Sequence, residues 1–359
     1  MSRSTSGWRR AGLIALALTI GAVVLAACGS DEGGSSGSSA STDSTASGAG
    51  QGGAPLTLGA SFTNFSPYYV VMNEYVKKEL ERIGGSELEP AANNFDPGKQ
   101  ITDIRNLITA GANGLFVTPA DSKALGSAID FANEKKASIV IVDDTVDGGG
   151  VFMNVKADNK KMAEQACEAM GEAIGGKGKV LSLEGDQATQ NGRDRTEGFK
   201  DCMTQKFPEV EVIGRPTDWS TEKAANATQT VLTANPDLAG VYMQSDTLFL
   251  APVESALKKA GNTSVKLVGI DGTPQTLDGI RDGSVYATVS QPIELYAKYG
   301  VLYNQAAQDG ETFSPGPTDH ESEIVDINGT LTDLLPAPLV TAENVDEPTL
   351  WGNSPAAQE

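Results

Sequence analysis

Eight short apolar runs, interleaved with stretches of helical character, constrain this chain more than any other feature. The runs fall at residues 56–62, 114–119, 138–144, 179–185, 210–216, 238–245, 265–271 and 286–291. Most are blocks of Val, Ile, Leu and Ala without alternation, as expected of parallel strands buried on both faces. Helices are predicted at 67–83, 99–110, 123–135, 159–174, 192–206, 222–235 and 248–260. Asp158, Thr221 and Asp246 stand where N-caps are expected, and Gly111, Gly175 and Gly261 where helices should stop. Alternating strands and helices predict a parallel sheet with helices on both faces. The body from Pro55 onward is about 300 residues, long for one core, and predicts two such sheets in two lobes.

The first residues set the compartment. Arg3, Arg9 and Arg10 precede an apolar stretch, Leu13 to Leu25, that ends in Leu25-Ala26-Ala27-Cys28. Basic residues, a short apolar run and small residues before a cleavage point read as an export signal. The run is shorter than the roughly 20 residues a spanning helix needs. Leu-Ala-Ala-Cys resembles the bacterial lipobox, which implies that Cys28 carries lipid and anchors the chain to the outer face of the cell membrane. Residues 28–54 are nearly all Gly, Ser, Thr, Ala and Asp, with almost nothing to seed a core, a composition expected to act as a disordered tether. About 25 such residues reach roughly 25–30 Å. Gly33-Gly34-Ser35-Ser36-Gly37 and Gly48-Ala49-Gly50-Gln51-Gly52-Gly53 match a hydrolase elbow and a dinucleotide fingerprint. Neither follows a strand or opens a helix, so both are chance products of low complexity.

Charge and rare residues exclude several functions. The formal net charge is −20, and the leader holds three of the basic residues and no acidic one. A nucleic-acid partner needs a basic face, so none is expected. The single histidine, His320, lies in an acidic, Pro-containing stretch and reads as a surface residue. With one His and no CxxC, a zinc or haem site has no ligand set, and no metal or cofactor is expected. Beyond Cys28, only Cys167 and Cys202 remain, a candidate disulfide in an exported chain.

Ligands of open parallel sheets bind beyond the carboxyl ends of the strands. The residues there are Asn64, Ser66, Tyr68 and Tyr69; Asp143 and Asp144; Arg193 and Arg195; Asp218 and Trp219; Gln244, Ser245 and Asp246; Asp271; and Gln291. Ionised Asp accepts from neighbouring hydroxyls, Arg offers a rigid fork of donors, and Asn, Gln and Ser both donate and accept. Tyr and Trp cover the C–H faces of a sugar ring. The set suits a small polyhydroxylated molecule.

At these residues the sequence resembles the ribose/galactose-type periplasmic binding proteins of ABC importers, type I fold, and most closely their ribose-binding branch. The segments that carry the resemblance are Asn64-Phe65-Ser66-Pro67-Tyr68-Tyr69, Val142-Asp143-Asp144, Arg193-Asp194-Arg195-Thr196-Glu197-Gly198-Phe199, Asp218-Trp219, Gln244-Ser245-Asp246, Gly269-Ile270-Asp271-Gly272-Thr273-Pro274 and Ala287-Thr288-Val289-Ser290-Gln291. The resemblance implies two doubly wound lobes joined by a hinge. It implies an aromatic pair at Tyr68 and Tyr69 that sandwiches the sugar, a third aromatic at Trp219, and hydroxyl-binding aspartates at Asp143 and Asp271. It also implies a ligand arginine at Arg195 and a closing glutamine at Gln291. The ribose branch has an arginine where this chain has Asp144 and an asparagine where it has Ser245. Those departures put ribose itself in question and open a different sugar, a polyol or a cationic amino-sugar.

The expected organisation is a signal peptide 1–27, a tether 28–54, an N-terminal lobe of 55–157 plus 292–318, a C-terminal lobe of 158–291 plus 319–345, and a tail 346–359. The chain crosses between lobes near Ala157, Gln291 and 318–321, and the lobes close over the ligand by hinge motion. No nucleophile elbow, P-loop or base near a strand end appears outside the tether, so an enzyme is not expected. A monomer that hands its ligand to a membrane permease is expected, with delivery to a receptor as the alternative.

Overall fold

The computed structural model describes residues 55–358 apart from Thr263 and Asn328. The export signal, Cys28 and the tether lie outside the described residues. In chain order the elements are β1 (Thr57–Phe62), α1 (Pro67–Ile83), β2 (Ser86–Glu87), β3 (Ala91–Ala92), α2 (Pro97–Thr109), β4 (Gly114–Val117), α3 (Gly126–Lys135), β5 (Ser138–Val142) and β6 (Met153–Ala157). There follow α4 (Asn159–Ala173), β7 (Lys177–Glu184), α5 (Gln190–Lys206), β8 (Glu209–Pro216), α6 (Thr221–Ala234), β9 (Leu238–Met243), α7 (Asp246–Ala260), β10 (Lys266–Asp271), α8 (Pro274–Asp282) and β11 (Ala287–Ser290). The chain ends with α9 (Ile293–Asp309), β12 (Gly316–Pro317), β13 (Glu323–Ile327), β14 (Thr330–Leu335), β15 (Leu339–Val340) and two 3-10 turns, Trp351–Asn353 and Pro355–Ala357.

Among these residues the strands form two sheets, one per lobe. The first runs β12-β13-β14-β6-β5-β4-β1-β2, with β3 also on β1; the second runs β15-β11-β10-β9-β7-β8. Pairing is parallel except at β12–β13, β13–β14 and β11–β15. The central strands are buried on both faces, β4 and β11 at every residue. Edge strand β8 alternates instead, with Glu209 and Glu211 exposed and Val210 and Val212 half-buried. The interior is mostly aliphatic; Tyr242 and Phe199 add a stacked pair at 3.9 Å between centroids.

Local chemistry explains the element ends. Asp158 caps α4 by accepting from Lys161 N. The caps of α6 and α7 fall one residue earlier than the sequence predicts. Ser220, not Thr221, accepts from Lys223 N, and Ser245, not Asp246, is the residue before α7. Asp246 is turned inward to Gly272 N and Thr288 Oγ1, so its carboxylate is not available as a cap. Gly175 and Gly261 take the left-handed conformation that ends a helix, and Gly111 has φ 111°. Cys167 on α4 and Cys202 on α5 form a disulfide with Cα atoms 6.2 Å apart. Cys202 sits in the last third of α5.

Two further expectations need correction. Residues 319–335 do not belong to the C-terminal lobe, because β13 and β14 form a hairpin and β14 pairs with β6 in the first sheet. The third crossing therefore lies between β14 and β15, at 336–338, and not at 318–321. His320 is not a plain surface residue either. Its ring stacks on Tyr299 at 3.7 Å, and its nitrogens lie 2.9 Å from Asp319 and from the fully buried Asp333.

The tail after residue 345 is irregular but held. Trp351 is 3% exposed, and its indole N–H donates to the carbonyl of Asp271 at 2.6 Å. Its ring meets Tyr68 of α1 edge to face at 6.0 Å. A Cβ at Gly352 would collide with the backbone of Gly272, so only glycine allows this approach.

Candidate functional site

The carboxyl ends of both sheets face one chamber with a cavity volume of about 80 Å3. All eleven predicted ligand residues line it: Asn64, Ser66, Tyr68, Tyr69, Asp143, Asp144, Arg195, Trp219, Ser245, Asp271 and Gln291. The N-terminal lobe supplies Asn64 to Tyr69 after β1 and the two aspartates after β5. The C-terminal lobe supplies Arg195 from α5, Trp219 after β8, Ser245 after β9 and Asp271 at the end of β10. Gln291 stands at the second crossing. Its amide oxygen accepts from Tyr296, whose hydroxyl also accepts from Ala157 N, both at 2.9 Å. One tyrosine hydroxyl thus ties two of the three crossings together.

Several side chains are presented from backbone that sequence alone would not predict. Asp143, Trp219 and Asp271 have φ of 69°, 55° and 133°. Non-glycine residues in that region carry strain, and such strain clusters at ligand sites. Trp219 also needs Gly185 beneath it, since a Cβ there would collide with the indole ring.

The polar groups divide into those spent on the protein and those left for a ligand. Asp271 Oδ2 accepts from Ser245 Oγ at 2.7 Å and Thr247 N at 3.2 Å, while Oδ1 faces Arg195 Nη1 at 3.9 Å. Arg195 is held by Asn159 Oδ1 at 2.7 Å and Gln244 O at 2.6 Å, and lies 5.9 Å from the Trp219 ring. Asp143 Oδ2 accepts from the Tyr69 hydroxyl at 3.3 Å. Its Oδ1, with Tyr68 Oη, Thr63 Oγ1 and Thr247 Oγ1, is buried and makes no well-aligned hydrogen bond among the described residues, although Tyr68 lies beside Asp143, Thr63 beside Tyr69 and Thr247 beside Asp271. The residues bearing those four oxygens all line the chamber. Buried polar groups are rarely left unpaired, so four at one place point to a hydroxyl-bearing occupant. Ser66 opens α1 without a side-chain cap bond.

Asp144 behaves differently. Its Oδ1 accepts from Thr145 N at 2.8 Å and its Oδ2 from Asn191 N at 3.4 Å. Although it borders the chamber, both oxygens are engaged by backbone. Tyr68 and Tyr69 meet edge to face, 4.9 Å apart at 83°. Two adjacent rings at that angle cannot both lie flat on one sugar ring, which corrects the expectation that the pair sandwiches it. Arg193, Asp218, Gln244 and Asp246 are not brought to the chamber wall. Sequence reasoning missed Thr63, Phe95, Thr118, Pro119, Thr189, Asn191, Thr247 and Leu248. The strand-end rule points to Thr118 and Pro119 after β4; nothing in the sequence marks Phe95.

Burial raises the pKa of Asp143 to about 7; Arg195 opposes the shift, and Asp144 and Asp271 add to it. Burial also works against the charge on Arg195, yet Asp271 and Asp143 lift its pKa above the ordinary value. The folded empty protein thus holds a proton on Asp143 where the unfolded chain, at about 3.9, has lost it. This group therefore takes stability away as pH rises from about 4 to 7. A ligand hydroxyl donating to the ionised carboxylate favours the charged form, so binding expels that proton. Affinity is expected to be about tenfold weaker at pH 6 than at pH 8, by linkage. Calorimetric titration at the two pH values checks this; equal affinities, or the reverse order, remove Asp143 as an ionised acceptor.

Comparison with known proteins follows the same lines. A model of the periplasmic binding protein domain matches residues 60–312. The ribose import binding protein of Salmonella typhimurium is 30% identical over 234 residues, covering 65% of this chain and 78% of that protein. The xylitol-binding protein of Mycolicibacterium smegmatis is 26% identical over 278 residues, covering 77% and 73%. A solved ABC transporter solute-binding protein from Mycobacterium smegmatis with bound glycerol superposes with a TM-score of 0.72 at 29% identity, covering 81% and 96%. The chain belongs to the periplasmic binding protein family, of the ribose/galactose type. The relatives it matches are solute-binding proteins rather than enzymes, and no described helix is long and apolar enough to cross a membrane.

Proposed function

We propose that this protein captures one small, neutral, polyhydroxylated molecule, a pentose or a polyol, between its lobes outside the cytoplasm and delivers it to an ABC importer. In this reading the signal at 1–27 exports the chain, Cys28 carries the lipid, and residues 28–54 tether a monomeric body to the membrane. The observation that carries the reading is the cluster of unpaired buried oxygens on Asp143, Tyr68, Thr63 and Thr247 inside one chamber. Three are hydroxyls that both donate and accept, and one is a carboxylate oxygen that accepts from a ligand hydroxyl. Trp219, Tyr69, Phe95 and Leu248 supply apolar surface for C–H faces. The ribose- and xylitol-binding relatives and the glycerol-bound structure support the ligand class.

Asp144 does not turn the site toward cations, because its carboxylate is satisfied by two backbone N–H groups. The chamber's remaining charges are Asp143 and Asp271 set against Arg195. A site built on unpaired hydroxyl-binding groups rejects analogues that leave them unpaired.

A thermal-shift and calorimetric panel of pentoses, hexoses, polyols and amino-sugars tests the reading. A neutral pentose or polyol is expected to bind with a dissociation constant on the order of 1 μM, about −8 kcal/mol. Stabilisation by amino-sugars alone would replace this reading with a cation site.

A further inference from the structure

The first turn of α5 touches the opposite lobe on three flanks. At its tip, Asn191 Nδ2 donates to Asp143 O at 2.8 Å, and Asn191 N donates to Asp144 Oδ2 at 3.4 Å. On one side, Arg193 Nη2 donates to Ser122 Oγ at 3.1 Å. That hydroxyl in turn donates to Ala188 O at 3.2 Å, so one serine of the N-terminal lobe links two points of the other. On the far side, Asp194 Oδ2 pairs with Lys156 Nζ at 3.4 Å, and both side chains are largely buried. Gln190 holds the other oxygen of Asp194 at 2.7 Å, and Gln187 O and Gln190 Oε1 hold the Arg193 guanidinium. The turn is braced before it meets the other lobe.

None of these bonds involves a group left free for a ligand; those of Asn191 to Asp143 and Asp144, of Ser122 to Arg193 and Ala188, and of Lys156 to Asp194 join the two lobes, while the Gln187 and Gln190 bonds brace the turn within its own lobe. We infer that residues 190–194, with Ser122, Asp144 and Lys156 opposite, form a closure latch that holds the closed form by protein–protein bonds alone. Arg193, absent from the chamber wall, is a positioning residue in this latch. Asp144, where the ribose branch has arginine, serves closure rather than ligand choice. A ligand that binds only the closed form has an apparent affinity set by the fraction already closed. The latch therefore raises affinity for every ligand by one factor and leaves the preference among ligands untouched. The affinity arm rests on the proposed sugar-binding reading; the closure arm does not.

The test labels one exposed position on each lobe, through Glu134→Cys on α3 and Lys259→Cys on α7, and measures the inter-label distance in the whole protein. The unliganded protein is expected to populate the short, closed distance. Arg193→Ala is expected to lower the ratio of closed to open forms at least about tenfold, as the loss of one interlobe hydrogen bond to a charged group would. Ser122→Ala should act in the same direction. In the binding panel both variants raise the dissociation constant of each bound compound by the same factor. A fully open unliganded protein, or unequal factors for different compounds, overturns the latch. If no sugar or polyol binds, the proposed function fails while the distances still decide the latch.

Discussion

Asp271→Ala is expected to weaken ligand binding at least about tenfold, because Oδ2 is spent on Ser245 and Thr247 and the one charge-assisted hydrogen bond that Oδ1 offers a ligand, roughly 1.5–3 kcal/mol, is lost. The carboxylate stands at the floor of the chamber, aligned by Ser245 Oγ and Thr247 N and facing Arg195. Burial raises its pKa, against the pull of Arg195 and of its hydrogen bonds. A buried carboxylate whose charge is disfavoured adds little to the stability of the empty protein. The variant should therefore melt within about 5 °C of the parent, since a few degrees correspond to about 1–2 kcal/mol in a protein of this size. Asp218→Ala is the matched control. Asp218 follows β8, the edge strand of the same sheet, and pairs with Lys223 at the surface, outside the chamber. Calorimetry with the ligand found in the panel reads both. Parental affinity in Asp271→Ala would remove Asp271 from the site.

The second large effect is on stability. Trp351→Ala is expected to cost about 3–5 kcal/mol, the range for truncating a buried aromatic residue. That lowers the melting temperature by about 10 °C. Trp351 fills space between α1 and the end of β10: its ring lies against Tyr68 and its N–H on Asp271 O. The same carbonyl accepts from Gln291 N at the second crossing, so loss of the indole should also loosen the chamber floor. Trp351→Phe keeps most of the packing and removes only the N–H. It should recover most of the melting temperature and less of the affinity. Thermal unfolding of the two variants separates these parts, and an unchanged melting temperature in Trp351→Ala would show that the tail is not held as described.

Much of this was legible before any coordinates. The apolar blocks at 56–62 or 138–144 fit strands covered on both sides, and their alternation with helical stretches predicts parallel sheets with helices between them. Polar and aromatic residues at the ends of such strands mark a ligand site, because the ends are where backbone groups and side chains meet solvent. That rule found Asp143, Asp271 and Trp219 without any knowledge of how the lobes face each other. It could not find β6, whose Asn154 and Lys156 are polar yet buried by contacts remote in sequence. It also placed 319–335 in the wrong lobe, since local sequence does not say which sheet edge accepts a hairpin.

What the sequence by itself determined is the class of fold and the list of residues at the strand ends, because hydrophobic period and turn chemistry are local properties. What only the tertiary structure decided is the work each residue does. Asp143 and Asp144 are adjacent and chemically identical, yet one leaves a buried oxygen unpaired in the chamber and the other spends both oxygens on backbone, one of them across the cleft. Arg193 and Arg195 are two residues apart, yet one braces the lobes and the other faces Asp271. Those roles depend on which groups the second lobe brings within about 3 Å, the reach of a hydrogen bond, and that proximity is set by the packing of the whole chain.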